Sequence, residues 1–433
     1  MKKKLCLFIV TMLFSTASVF AQGGQTGPLT WNISNDTLYI SGDGIMPDYD
    51  WDSSTHHAPW YYYRNSITTI IIENELIRIG ESAFTGFINL ISITLPVSIT
   101  SIGYYAFAHC SSLPSIILPN NLVSIEELAF CSCERLDSIT LPNSITHIGF
   151  AAFLHCFGLT SITLPNSLAR IEAFTFQDCS NLTSVTLPNS ITSIEFGAFE
   201  FCTSLISIDL PNDITSIEEG VFAYCTSLTS ITLPNNLESI GQQAFEECRS
   251  LSSITLPNSI TNIGNAAFYN CANLSSISLP TSIASIGFLA FFYCSNLTTI
   301  TSPNPVPINI DPNVFMGVTQ SECILKVPTT SVSAYQNAEV WKDFNIIGID
   351  FGVESIKSAI VNIYPNPATG MLKIESGGLR IENVAIYDVF GKIQKMENWE
   401  MEKAIDISHL STGIYFVKIS TESGEVTRKV VKE

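Results

Sequence analysis

Cysteine and histidine are the side chains whose spacing here invites a chemical reading. Nine cysteines, Cys110, Cys133, Cys156, Cys179, Cys202, Cys225, Cys248, Cys271 and Cys294, recur at a fixed stride of 23 residues. In an exported chain so many cysteines would ordinarily signal disulfides. An odd column cannot pair fully, however, and Phe87 occupies the same slot one stride earlier. Phenylalanine can replace a buried thiol but neither a disulfide partner nor a metal ligand. The column therefore favours buried free thiols over disulfides or metal, while Cys131 and Cys323 stand off it. The pairs His109-Cys110 and His155-Cys156 suggest a thiol nucleophile with its base, but adjacent side chains usually point apart. The acidic run Asp43, Asp48, Asp50 and Asp52 offers carboxylate oxygens to calcium. It lacks ordered EF-hand spacing and reads better as a solvated turn. No histidine pair has metal-type spacing, and no phosphate loop or nucleophile elbow appears. The expectation is a non-enzyme without catalytic, cofactor or metal residues, an enzyme with an unrecognised site being a remote alternative.

The elements that hold these residues follow from the same stride. Leu-Pro pairs run from Leu95 to Leu279 and phenylalanines from Phe84 to Phe291, each in 23-residue steps. Within one unit, Ser184-Val185-Thr186-Leu187 alternates as a strand does, and Pro188 ends it because proline cannot donate to a ladder. A second extended piece follows at Ile191–Ile194, and the Ala198-Phe199 segment is long enough for one helical turn. No unit can bury its own apolar side. Stacking covers each with the next and produces a solenoid of short parallel strands, turns and short helical segments. At ~4.8 Å per strand, ten units extend roughly 50 Å.

Columns that fail to repeat are where function can differ from scaffold. Two positions after the second isoleucine the residues are Tyr104, Glu127, Phe150, Ala173, Phe196, Glu219, Gln242, Asn265 and Phe288. The aromatic members either pack on the neighbouring turn or stand exposed as protein interfaces favour. Phe201, Tyr224, Tyr269, Phe292 and Tyr293 pose the same question beside the cysteine column. Tyr104, Phe150, Phe196, Phe288 and Tyr293 are the candidate partner-binding residues. On the strand face, triplets such as Ser161-Ile162-Thr163 and Ser230-Ile231-Thr232 set out two rows of hydroxyls that can meet glycan, ice or water.

With 46% hydrophobic and 14% charged residues the chain folds rather than staying disordered. A net charge of −19, with no lysine between Lys4 and Lys326, argues against nucleic acid or anionic membrane as partner. The N-terminus reads Lys2-Lys3-Lys4, an apolar run from Leu5 to about Phe14, then Val19-Phe20-Ala21. That is a secretory signal peptide with cleavage expected after Ala21. Its apolar run is too short to span a bilayer, and no transmembrane segment is expected later.

The repeat resembles the BspA-like branch of the leucine-rich repeat proteins over nearly all of residues 22 to 352. Leu29-Thr30-Trp31, Leu38-Tyr39-Ile40-Ser41-Gly42 and Ala58-Pro59-Trp60-Tyr61 look like that family's opening cap, and Leu325–Pro328 with Tyr335 and Trp341 like its closing cap. From about Val353 the columns vanish. Met371–Ile374, Val384–Tyr387 and Ile414–Ile419 alternate between turns, as in a small Ig-like antiparallel β-sandwich. Tyr364-Pro365-Asn366-Pro367-Ala368, Tyr387–Lys392, Gly413–Phe416 and Lys429–Lys432 are similar to a type A C-terminal sorting domain of type IX secretion. The resemblance marks Pro365, Asn366, Pro367, Gly391, Gly413, Tyr415 and Lys429 as the sorting motif. It implies export by the type IX machinery, removal of the tail, and a product that is secreted or held at the outer-membrane cell surface; the alternative is an ordinary Ig-like domain that stays attached. The expected organisation is a signal peptide over 1–21, a cap over 22–65, leucine-rich repeats over 66–302, a closing cap over 303–352 and the sorting domain over 353–433. Members of the resembled family are associated with matrix binding, which implies adhesion to a host or matrix protein. A glycan-binding or structural surface-layer protein is the alternative.

Overall fold

The computed structural model describes residues 22–51, 56–73, 75–351, 362–375, 381–389, 391–398, 404–421 and 424–433. The signal peptide over 1–21, Asp52 and Val353 lie outside the described residues. The chain divides into two compact units, one ending at Ile349 and the other beginning at Asp350.

In the first unit each repeat contributes two short strands, and like strands of successive repeats pair in parallel. One row includes Ser161–Thr163, Ser184–Thr186, Ser207–Asp209 and Ser230–Thr232. The other includes Leu76–Ile79, Ser101–Ile102, Ser124–Ile125 and His147–Ile148. Identical registers pair serine with serine and isoleucine with isoleucine, so the buried isoleucines stack into a continuous core. Within the first row, pairing is interrupted between Ser92–Thr94 and Ser115–Ile116, between Ser138–Ile139 and Ser161–Thr163, and between Ser230–Thr232 and Ser253.

The third side of each repeat is not a helical turn. Around Ala198-Phe199 the backbone amides of Ala198, Glu200 and Cys202 each donate three residues back, while those of Gly197, Phe199 and Phe201 donate to the next repeat. This alternation requires left-handed backbone at two positions per repeat, such as Tyr105 and His109 or Leu289 and Tyr293. Left-handed residues cannot continue a right-handed helix, which is why the helical expectation fails here. Glycine fills one such position at Gly197, where a Cβ would lie 2.7 Å from the Phe174 ring.

Inside, the phenylalanine column stacks ring on ring at 5.2–5.8 Å from Phe84 to Phe315. Tryptophans close it at both ends. Trp60 stacks on Phe84 and donates its indole N–H to the Ala83 carbonyl; Trp341 meets Phe315 edge-on and donates to Ile308. The opening cap is an antiparallel sheet of Gln22–Thr26, Leu29–Ser34 and Thr37–Ser41, whose last strand pairs in parallel with Thr69–Ile72. At the far end Ile324–Pro328 and Asn345–Ile349 extend the first row. Phe315 follows Phe291 by 24 residues rather than 23 and still stacks directly on it.

The second unit has one sheet of Asn362–Tyr364, Met371–Glu375 and Ile405–Asp406. A second sheet holds Ile381–Tyr387, Ile393–Asn398, Gly413–Thr421 and Gly424–Lys432. The strands of both sheets pair antiparallel, with one isolated parallel bridge between Ala368 and Lys432, around an apolar core that includes Leu372, Ile386, Val417 and Val430, as expected for a small β-sandwich.

Candidate partner-binding surface

The column that fails to repeat runs along the corner between the second strand row and the turn side. Tyr104, Phe150, Phe196, Phe288 and Tyr293 are 37%, 40%, 40%, 48% and 50% exposed, whereas every phenylalanine of the inner column is buried. The exposed rings are also packed along their edges, so both sequence-based alternatives describe part of the arrangement. Phe174 bridges Phe150 and Phe196 with edge-to-face contacts at 5.5 Å and 4.8 Å. Tyr104 lies against Tyr105 at 4.7 Å, and Trp51 of the cap stacks over Tyr105. Phe292 joins Tyr269 to Tyr293, and Tyr293 lies over Gly317, where a Cβ would come within 2.5 Å of the ring. Such edge contacts hold a ring at one orientation while its face stays in water, a rigid amphipathic platform of the kind partners use.

Trp51, Phe174 and Met316, which is 54% exposed, extend these clusters and were not singled out by the sequence. Phe174 occupies a left-handed position, and Trp51 belongs to the cap, so neither falls in the column that periodicity marks.

Carboxylates alternate with the rings. A recess at the corner is lined by Arg78, Glu81, Tyr104, Glu126, Glu127 and His147. Arg78 is shared between Asp48 and Glu81, and His147 Nε2 stands 3.9 Å from Glu126. Further along, burial together with Glu246 and Asp178 raises the Glu200 carboxyl above its ordinary value, opposed by Gln177, which donates to it at 2.6 Å.

The remaining chemical candidates resolve into packing. Each column thiol from Cys110 to Cys294 is free and buried, and donates to a phenylalanine carbonyl of the preceding repeat, as Cys156 does to Phe130 at 3.2 Å. Burial pushes the Cys110 thiol up to about 12, which removes the thiolate a nucleophile needs. Cys131 and Cys323 are likewise free and buried. His155 turns toward Asp178 at 3.6 Å, away from the inward Cys156 thiol. Asp48 accepts from Arg78 and from the Glu81 amide, so this carboxylate ties the cap to the first repeat. On the strand face a recess lined by Ser138, Thr140, Asn143, Ser161 and Thr163 together with Leu141 and Pro165 crosses one of the breaks in pairing.

In the second unit the Asn366 side chain donates to the Lys429 carbonyl and accepts from the Val431 amide, both at 2.9 Å. Pro365 and Pro367 flank it in that segment, which is thereby fastened to the final strand. Gly391, at φ 78°, closes a turn on Asp388. Gly413 opens the penultimate strand, and the Tyr415 hydroxyl donates to the Ser411 carbonyl at 3.0 Å. Among the described residues no helix is long and apolar enough to cross a membrane.

Comparison with known proteins agrees with this architecture. The BspA type leucine rich repeat region matches in overlapping segments 58–162, 146–271 and 217–340, and the secretion system C-terminal sorting domain matches residues 362–433. No curated protein matches the chain. Among solved structures, a leucine-rich repeat protein from Bacteroides ovatus is 22% identical with a TM-score of 0.53, covering 76% of this chain and 88% of that one. A leucine rich cell surface protein from Faecalibacterium prausnitzii is 22% identical with a TM-score of 0.41, covering 77% and 96%. The sorting tail directs the protein through type IX secretion to the cell surface or beyond. With the repeat model matching most of its length, the chain belongs to the BspA-type leucine-rich repeat proteins.

Proposed function

We propose that the solenoid is an adhesion module that binds a protein of the host or matrix through its corner column, and that it carries no catalytic activity. One observation supports this above the others: Tyr104, Phe150, Phe196 and Phe288 of the corner column, with Tyr293 beside the cysteine column, are large non-repeating side chains that stand exposed on a backbone whose repeating columns are buried, whereas other non-repeating rings such as Phe174, Phe201 and Tyr224 are half-buried. Aromatic residues held rigidly at a surface are the usual anchors of protein interfaces. Catalysis is disfavoured because the thiols displaced furthest from their ordinary values are enclosed in the core and line neither recess described above. The tail residues Pro365, Asn366, Pro367, Gly391, Gly413, Tyr415 and Lys429 are read as the motif that fits the domain for recognition by the export machinery, Tyr415 from within its core.

A second reading has a specific observation in its favour. One of the breaks in pairing, beside Ser138 and Ser161, coincides with a recess on the strand face lined by hydroxyls together with apolar side chains such as Leu141 and Pro165, which suits a glycan. Binding of the secreted chain to immobilised matrix proteins and to a glycan array, with wild type beside Phe150→Ala/Phe196→Ala and Thr140→Val/Thr163→Val, separates the two. Protein capture lost only with the ring variant supports adhesion. Glycan binding lost only with the hydroxyl variant replaces it with the second reading.

A further inference from the structure

The corner column has an order beyond its exposure. From Glu81 onward it reads carboxylate, ring, carboxylate, ring, methyl, ring, carboxylate: Glu81, Tyr104, Glu127, Phe150, Ala173, Phe196, Glu219. Rings and carboxylates thus trade places at nearly every repeat. Glu126, Glu172, Glu195 and Glu218 add negative charge one position earlier, and Arg78 and Arg170 are the guanidiniums that face them, already engaged with Glu81 and with Glu172 and Glu195. Glu219 accepts from Gln242 at 2.9 Å, which holds its carboxylate at the corner. The first step of the series contains the recess between Tyr104 and Glu127.

We infer that this corner docks a basic amphipathic α-helix of a partner protein, laid along the solenoid axis at one helical turn per repeat, with lysine or arginine opposite the carboxylates and apolar side chains opposite the rings. The inference rests on the adhesion reading and specifies its partner. Spacing selects the helix. The corner column directly follows a paired strand row, spaced ~4.8 Å, and overlies inner rings 5.4–5.6 Å apart, so it is nearest in step to an α-helix, which advances ~5.4 Å per turn. Same-face residues of an extended strand recur every ~6.7 Å and slip out of step. A polyproline II helix repeats every ~9.3 Å, about two repeats, and so one face of it meets the rings without the carboxylates between them. Charge selects the sign, because a surface this acidic attracts basic segments and repels acidic ones. The recess receives the first cation, with the Tyr104 ring beside it and Glu127 as its counter-charge, Glu81 being taken up by Arg78; a cation over an aromatic face gains further attraction.

The test uses the full secreted chain and three labelled synthetic helical peptides of about 22 residues, roughly six turns. One carries lysine and leucine in the order the column demands, one has the same composition scrambled between faces, and one replaces lysine by glutamate. Fluorescence anisotropy is expected to show the ordered peptide binding roughly tenfold tighter than the scrambled one, about 1.4 kcal/mol. The Tyr104→Ala/Phe150→Ala/Phe196→Ala variant should lose roughly tenfold, and Glu127→Gln should flatten the salt dependence, as loss of one steering charge does. A melting curve checks that each variant is folded. Equal binding of ordered and scrambled peptides, binding of the glutamate peptide, or no binding at all overturns the inference. If matrix-protein capture is still lost in the ring variant while the ordered peptide fails to compete, the adhesion reading stands and the helical partner falls. If neither capture nor peptide binding responds to the rings, both fall.

Discussion

Residues 81–249 carry sixteen carboxylates and three arginines, whereas residues 250–310 contain no charged side chain. Beneath those surfaces the two stretches are alike. Phe130 stacks on Phe153 at 5.5 Å in the first and Phe268 on Phe291 at 5.2 Å in the second, and Cys156 and Cys271 donate to equivalent carbonyls. The inner columns answer to packing, which is the same problem in every repeat, and so they carry no record of what the molecule binds. The outer columns are released from that constraint and diverge. The acidic stretch presents Tyr104, Phe150 and Phe196 among carboxylates, and the neutral one presents Phe288 and Tyr293 among amides and hydroxyls. One scaffold thus offers two surfaces of different chemistry.

The largest effects should ignore this division. Phe176→Ala and Phe268→Ala each remove a fully buried ring and should each cost about 3–5 kcal/mol in denaturant unfolding. A gap between them much beyond about 2 kcal/mol, about the spread of that range, would show that the two stretches do not share one core.

Alkaline unfolding comes next. Burial raises the thiols of both stretches, so the folded state keeps protons that the unfolded chain releases above its ordinary thiol value of about 8.5. Stability is therefore complete below that pH and falls as pH rises toward the folded values. Each thiol should account for about 2 kcal/mol by pH 10. Cys156→Ala and Cys271→Ala should each reduce the slope of unfolding free energy against pH above 9 by about one proton. An unchanged slope would mean that these thiols titrate normally when folded.

The smallest effect concerns the turn side. Gln243 and Ala266 hold left-handed backbone, one in each stretch. Glycine adopts that conformation without the ~1–2 kcal/mol steric cost of other residues, less its own greater entropy in the unfolded chain. Ala266→Gly should raise stability by about 0.5–1 kcal/mol, read as a rise in melting temperature, and Gln243→Gly should gain less because it also removes side-chain hydrogen bonds with Glu246 and Gln242. Loss of stability in Ala266→Gly would contradict the left-handed assignment.

Much of this architecture is legible in the sequence because a 23-residue stride fixes which side chains stack. Phe84, Cys110 and Leu182 announce their burial by recurring. The turn side is less legible. Gly197 and Gly220 are its clearest signals, but Phe174, Leu128 and Gln243 occupy the same left-handed slot; hydrogen bonding to the next repeat holds them there, and no local preference reveals it. The proposed partner surface is half legible. Periodicity marks Phe150 and Phe196 as exceptions, whereas Phe174, which joins them, and Trp51, which arrives from the cap, become members only when separate segments meet. The ties of Asp48 and of Asn366 to distant strands are likewise contacts between segments far apart in sequence.

The central claim is that repeating columns hold the fold and the exposed exceptions hold the partner. It is tested most directly by measuring, on one preparation, both the melting temperature and the binding to immobilised matrix proteins of a variant with Tyr104, Phe150, Phe196, Phe288 and Tyr293 all changed to alanine. The account predicts a melting temperature within a few degrees of wild type, as half-exposed positions allow, together with binding weakened by about a hundredfold or more, as loss of several aromatic anchors requires. Full binding by the folded variant would contradict it.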